Sequence, residues 1–215
     1  MDTAALKALL DIAAGGNMAA LAEELTTLLL DNGERVPPPV RRLLEALFER
    51  VLREADDAVC AKAAPQLERD IDLPLGILNA CFLAASPAMR TTILNRNEVA
   101  AHAVVDPLDA AALLEAARLP EGFAEALSRI GRVKLAIARG VLADTTGCSL
   151  LTLAKGSGVD RGTYAAIAVL VQQKRSIRHN LEALAAYDRM PLHGAANIVA
   201  YWRARSTPLA FSQAA

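Results

Sequence analysis

Two observations predict an all-α fold built as a stack of short helix pairs. The 215-residue chain is 53% apolar but only 4% aromatic, so its core must be built from Ala, Leu, Val and Ile. Ala and Leu are among the strongest helix formers. From Ser86 onwards, helix-start signals recur about every dozen to twenty residues: Ser86-Pro87, Asp106-Pro107, Leu119-Pro120, Gly131-Arg132, Thr145-Thr146, Asp160, Ser176 and Met190-Pro191. Short Ala- and Leu-rich stretches lie between them, with Gly and Pro at the joints, where these residues punctuate helices.

The elements follow in order. Thr3 can cap a helix over 4–14 that closes at Gly15-Gly16, and Asn17 starts a second that runs to residue 31 and stops at Gly33. Residues 32–39 read as a linker ending in three prolines, which cannot sit in a helix interior. The longest expected helix spans 40–64. Leu43, Leu44, Leu47, Phe48, Val51 and Leu52 form its apolar stripe at i, i+3 and i+4. Arg41, Arg42, Glu45, Glu49, Arg50, Arg53 and Glu54 cover the other face, with Glu49 and Arg53 placed as an i,i+4 pair.

After a polar joint at 66–72, Pro74 suits a first helical turn. The nearly all-apolar stretch 76–85 reads as a central helix. Short helices are expected at 89–94 and from Asn97, then one at 108–118 capped by Asp106. Further helices follow at 123–130, 133–142, 148–155, 162–173, 177–190 and 192–205. From Pro120 the starts lie about 14 residues apart, so a helix pair takes roughly 28 residues, shorter than the common solenoid repeats. The domains read as 1–65 (a helical hairpin plus the long helix), 66–206 (the array) and 207–215 (a frayed tail).

Composition bounds the setting. No stretch approaches 18 uninterrupted apolar residues, so no transmembrane helix is expected, and the first residues show no basic region before an apolar run, so no signal peptide is expected. Cys60, Cys81 and Cys148 are odd in number, widely spaced and in apolar surroundings. They read as buried, reduced thiols in a cytoplasm, and not as a disulfide framework or zinc site. The net charge of −1 hides an asymmetry: residues 1–124 carry 11 Lys/Arg and 19 Asp/Glu, residues 125–215 carry 12 and 5. The basic half could meet an anionic partner; the simpler reading is that the two halves face each other, within one molecule or across a dimer.

Little in the chain points to chemistry. Glu98 and His102 share a possible i,i+4 face, but a metal site needs three or four ligands and no second pair stands near them; His179 and His193 are isolated. No nucleophile elbow, phosphate loop, dinucleotide fingerprint or zincin motif is present. Residues 150–170, LLTLAKGSGVDRGTYAAIAVL, look like a helix-turn-helix, with Ala154 on the first helix, Gly158 in the turn, Val159 as apolar plug and Asp160 opening the second helix. Such proteins place the N-terminus of the second helix in the major groove and need polar side chains there to reach bases and phosphates. The run Tyr164 to Val171 is instead apolar on almost every side, which predicts a buried helix. The basic cluster Lys174-Arg175-Ser176-Arg178 follows. It could grip an anion, a phosphorylated partner or the acidic half, or complement a helix dipole.

The run GVDRGTYAAIAVLV, a basic loop and LEALAAYDRMPLHGAANIVAYWRAR together resemble the end of the bacterial family known as domain of unknown function 2336. The matching features are the Gly-hydrophobic-Asp-Arg-x-Thr-aromatic turn, the pair Tyr187-Asp188 and the pair Trp202-Arg203. The resemblance covers roughly residues 70–206. It implies a HEAT-like array of short antiparallel helices, α-solenoid-like, behind an N-terminal helical bundle. It implies no activity and transfers no catalytic residue.

The expected function is a non-catalytic protein-interaction or regulatory scaffold without a cofactor or metal. Arg161, Lys174, Arg175 and Arg178 are the candidate partner-binding residues, and a homodimer is expected through residues 1–65. The alternatives are a nucleic-acid-binding regulator using residues 150–175, and an enzyme or small-ligand binder. The last would require a pocket lined by buried polar groups from different helices.

Overall fold

Side chains that cap helices stand at many of the helix starts. Asn17 Oδ1 accepts from Ala20 N at 3.1 Å, Asp56 Oδ1 from Val59 N at 3.0 Å, Ser86 Oγ from Met89 N at 3.3 Å and Asp109 Oδ1 from Ala112 N at 2.9 Å. Each satisfies an amide that the first helical turn leaves without an intrahelical partner. The computed structural model describes residues 3–30, 36–70, 72–101, 103–171 and 177–206, and among the described residues every regular element is a helix. The chain divides into two compact units, Met1–Ile93 and Leu94–Ala215.

The first unit holds α1 (Thr3–Ala14), α2 (Met18–Leu30), α3 (Pro38–Glu54), α4 (Asp57–Leu67), α5 (Leu75–Ala80) and the start of α6 (Pro87–Glu98). α2 packs on α1, α3 and α4, and α3 also packs on α5. Leu25, Leu29, Phe48, Leu52, Leu73, Ile77, Leu78 and Phe82 are fully buried in this core. Arg90 is buried as well; it donates from Nε to Phe82 O at 3.0 Å and from Nη2 to Leu83 O at 2.6 Å. These bonds satisfy two carbonyls of the irregular turn that follows α5.

Several sequence expectations change here. The helix expected over 40–64 is two helices, because Asp56 caps a new start and Ala55 leaves helical geometry with ψ 160°. Pro38 and Pro39 lie in the first turn of α3, where proline is tolerated. Within the predicted stripe Leu44, Phe48, Val51 and Leu52 are buried, but Leu43 is 71% and Leu47 37% exposed. The expected helix at 76–85 ends at Ala80, and the two short helices expected around residues 89–98 are the single α6. The two compact units meet within α6; Ile77 and Leu78 of α5 bury in the first unit's core, and Arg41 of α3 reaches Asp70 at 3.1 Å. The tail expected at 207–215 and part of the linker, 31–35, lie outside the described residues.

The second unit holds the end of α6, then α7 (Ala110–Ala117), α8 (Phe123–Gly131), α9 (Leu135–Ala143), α10 (Cys148–Gly156), α11 (Arg161–Val171), α12 (Ile177–Arg189) and α13 (Leu192–Ser206). Consecutive helices from α7 to α12 touch, α7 also packs on α11, and α10 makes its largest contact with α13. α10 is the innermost helix: Ser149, Leu150, Leu151, Thr152, Leu153 and Ala154 are all buried. Its start is held by Asp144, whose Oδ2 accepts from Ser149 N at 2.8 Å and from Ser149 Oγ at 2.7 Å. Cys60 and Cys81 are buried, as the sequence predicts, whereas Cys148 at the first position of α10 is half-buried.

Two glycines set the spacing around α13. A Cβ on Gly156 would lie 2.5 Å from Ala195 O, and one on Gly194 would collide with Leu94 O. In both places the obstacle is backbone, which a side-chain rotation cannot relieve. Gly156→Ala and Gly194→Ala are therefore each expected to destabilise the protein by about 2 kcal/mol or more, read as a fall in thermal midpoint. At Gly76 the obstacle is the movable carboxylate end of Glu49. Gly76→Ala is expected to change stability by less than about 1 kcal/mol, helped by the better helix propensity of Ala.

Candidate functional site

The candidate site starts at the joint between α10 and α11. Val159 N donates to Ala154 O at 3.0 Å and Gly158 N to Lys155 O at 3.0 Å, a Schellman closure of α10. Gly158 takes φ +72°, the left-handed conformation this closure needs and glycine adopts without strain. Val159 plugs the turn at 1% exposure. Asp160 then opens α11. Its Oδ1 accepts from Gly162 N at 2.9 Å and Thr163 N at 3.0 Å, and Thr163 Oγ1 donates to its Oδ2 at 2.6 Å. The helix-turn-helix spacing in the sequence thus makes a real helix-turn-helix joint. The expectation that its second helix is buried is corrected: α10 is enclosed, whereas α11 buries Tyr164, Ile167 and Ala168 and leaves Val169 49% exposed.

The end of α12 locks onto this joint. Tyr187 Oη donates to Val159 O at 2.6 Å, and its ring stacks on Tyr164 with centroids 5.5 Å apart. Lys155 Nζ sits 4.7 Å from the Tyr187 ring centroid and donates to Tyr187 O. Burial pulls the Lys155 ammonium below the usual lysine range, opposed by Asp188 and Glu98, and burial pushes the Tyr187 phenol up. Arg161 Nε meets Asp188 Oδ1 at 2.9 Å with both side chains about half exposed, so this pair adds register more than stability.

A second knot closes around Arg203 of α13. Its guanidinium donates to Gly131 O, Asp106 O and Ser157 Oγ, each at 2.9 Å. One side chain thus ties together the end of α8, the segment before α7 and the end of α10. Asp106 does not cap α7 as the sequence suggested. Its carboxylate pairs with Arg132 at 2.6 Å and Arg203 at 3.4 Å, and Asp109, three residues nearer, provides the cap. Arg132 holds φ 57° to end α8, with its amide on Ser128 O. Glu98 Oε2 accepts from Gly194 N at 2.6 Å, an anion at the amino end of α13, and Asn197 joins α13 to Asn97 O and Ala103 N.

Of the four candidate partner-binding residues, Arg161 is half exposed and paired with Asp188. Lys174 and Arg175 lie outside the described residues, as does the side chain of Arg178 in α12. His102 also lies outside the described residues, and among the described residues no three His, Cys, Asp or Glu side chains converge as a metal site. A groove of about 120 Å³ between α2 and α4 is floored by Ala19, Ala22, Val59 and Ala63. Its buried polar group, Thr26, already donates to Ala22 O, so the groove lacks convergent buried polar groups from different helices. The roles of Lys155, Asn197 and Arg203 had no sequence signal beyond the Trp202-Arg203 pair, because their partners lie 32 to 100 residues away.

Tyr187→Phe removes the hydroxyl that donates to Val159 O and is expected to cost about 1 kcal/mol in denaturant unfolding. Asp160 is held below the usual carboxylate range by the Thr163 hydroxyl and then by the Thr163 and Gly162 amides, and Asp106 chiefly by Arg132. Both pKa values fall on folding, so their contribution is complete above about pH 4 and is lost as pH drops through the folded values. In Asp106→Asn/Asp160→Asn the acid-side decline in thermal midpoint is expected to be shallower than in the wild type. Comparison with protein-family models, curated proteins and solved structures finds no match to this chain.

Proposed function

We propose that the protein is a non-catalytic scaffold that binds a protein partner through the hairpin α11–α12. The observation that carries this reading is the exposure of Val169 and Leu181, at 49% and 63%, on two helices that pack against each other. Val169 lies near the end of α11 and Leu181 near the start of α12, so the connection places both at one end of the hairpin. The sequence between and beside them carries Lys174, Arg175 and Arg178. Apolar side chains next to a cationic stretch of sequence suit an amphipathic acidic segment of a partner. The polar groups of the joint are already engaged: Lys155, Tyr187, Asp160 and Arg203 hold backbone or helix ends together.

The HEAT-like repeat character and the kinship with domain of unknown function 2336 belong to the same proposal. Contacts between consecutive helices from α7 to α12 support the first. The meeting of the turn motif with Tyr187-Asp188, and of Arg203 with Ser157, supports the second. A cytoplasmic setting is supported by the burial of Cys60 and Cys81 as single cysteines on different helical segments, and no described helix is long and apolar enough to cross a membrane. The nucleic-acid reading has less support, because Arg161 is engaged by Asp188 and the exposed side chain farther along α11 is Val169.

Affinity capture from native lysate is expected to return a stoichiometric partner with the wild type and to lose it with Val169→Glu/Leu181→Glu. Loss of nothing, or no partner under several growth conditions, counts against the reading. In a gel shift at low salt, no duplex DNA binding is expected; binding that weakens steeply with salt would favour the regulator instead.

A further inference from the structure

We propose that α12 is a latched flap: it undocks from α10 and α11 as one cooperative unit, and the contacts of Tyr187 set how often it does so.

Burial divides the second unit unevenly. α10 and α13 are largely enclosed, with Leu150, Leu153, Ile198, Val199 and Trp202 at 2% exposure or less. Between Leu181 and Arg189, by contrast, no side chain of α12 is buried. Ala183, Leu184, Ala186 and Tyr187 share one face and are half-buried. A helix of 13 residues is marginal in water without tertiary packing, so α12 keeps its helical form by staying docked.

What docks it is concentrated in its last turn. Tyr187 gives its hydroxyl to Val159 O at 2.6 Å, stacks its ring on Tyr164, and receives Lys155 at both its ring and its carbonyl. The neighbouring Arg161–Asp188 pair is half exposed and adds little. Leu181, more than a turn earlier, is 63% exposed and offers no hold.

The rest of the unit does not need α12 for support. α11 also packs on α7 and α10, and α10 packs on α9 and α13. An element with few buried side chains, fastened at one place and dispensable to its neighbours, opens at a free energy below that of global unfolding. Undocking parts Val169 from Leu181 and so takes apart the hairpin surface; this consequence rests on the scaffold reading, whereas the undocking itself does not.

Native-state hydrogen exchange of the purified full chain, read amide by amide at increasing denaturant, tests this. The α12 amides from Glu182 to Arg189 are expected to exchange together, about ten-fold or more faster than those of α10 and α13. Their rates should depend more weakly on denaturant, because undocking exposes less surface than global unfolding. Tyr187→Phe is expected to speed all of them about five-fold, the effect of one hydrogen bond. That includes Glu182 and Ala183, more than a turn from the substitution. If the α12 amides are as protected as those of α13, the helix belongs to the core and the proposal is overturned. If the Tyr187→Phe effect stays beside residue 187, the helix frays residue by residue and the proposal is overturned as well. The measurement needs no partner, so its outcome is separate from that of the capture experiment.

Discussion

The C-terminal unit depends on how closely α13 can approach its neighbours. Gly156 lets the end of α10 rest on the backbone of Ala195, and Gly194 lets the start of α13 rest on Leu94. That double contact places Trp202, Ile198 and Val199 in the core at 1% exposure or less and brings Arg203 to the ends of α8 and α10. A methyl group at either glycine would push backbone from backbone. The loss would extend beyond one contact, because Asn197 and Arg203 make their hydrogen bonds only at this spacing.

The polar side chains of this unit serve as fasteners. A short helix leaves as many unsatisfied amides and carbonyls at its ends as a long one, so a unit built of helices of eight to fifteen residues has many ends to satisfy. Asp109, Asp144, Asp160 and Glu98 serve amino ends. Lys155 and Arg203 serve carboxyl ends, at Tyr187 O and Gly131 O. This explains a concentration of charged residues near buried helix junctions without a catalytic task. It also explains why the joint at Gly158, which has the spacing of a DNA-binding motif, is enclosed on the α10 side and tied down by Tyr187 on the other.

Apolar exposure is spread over both units. In the first it falls on Leu10 of α1, Met18 of α2 and Leu43 and Leu47 of α3; in the second it falls on Val99, Val104, Leu119 and Leu192 as well as on Val169 and Leu181 of the α11–α12 hairpin.

Composition and punctuation by themselves determined that the chain is helical and where most helices begin. Ala and Leu set the propensity, and Asn17, Asp160, Pro87 and the glycines marked ends through local bonds that need no distant partner. The misreadings share one cause. Asp56 and Asp106 are equally good caps in a sequence; only packing made Asp56 start α4 and drew Asp106 away to Arg132 and Arg203. The apolar stripe of α3 likewise looked uniform, and only the positions of α2 and α5 decided that Leu44 is buried and Leu43 is not. The meeting of Lys155, Val159 and Tyr164 with Tyr187 was legible as separate motifs and not as one site. Helical periodicity says which residues share a face, whereas the identity of the opposing face is set by long-range contacts that no local pattern encodes.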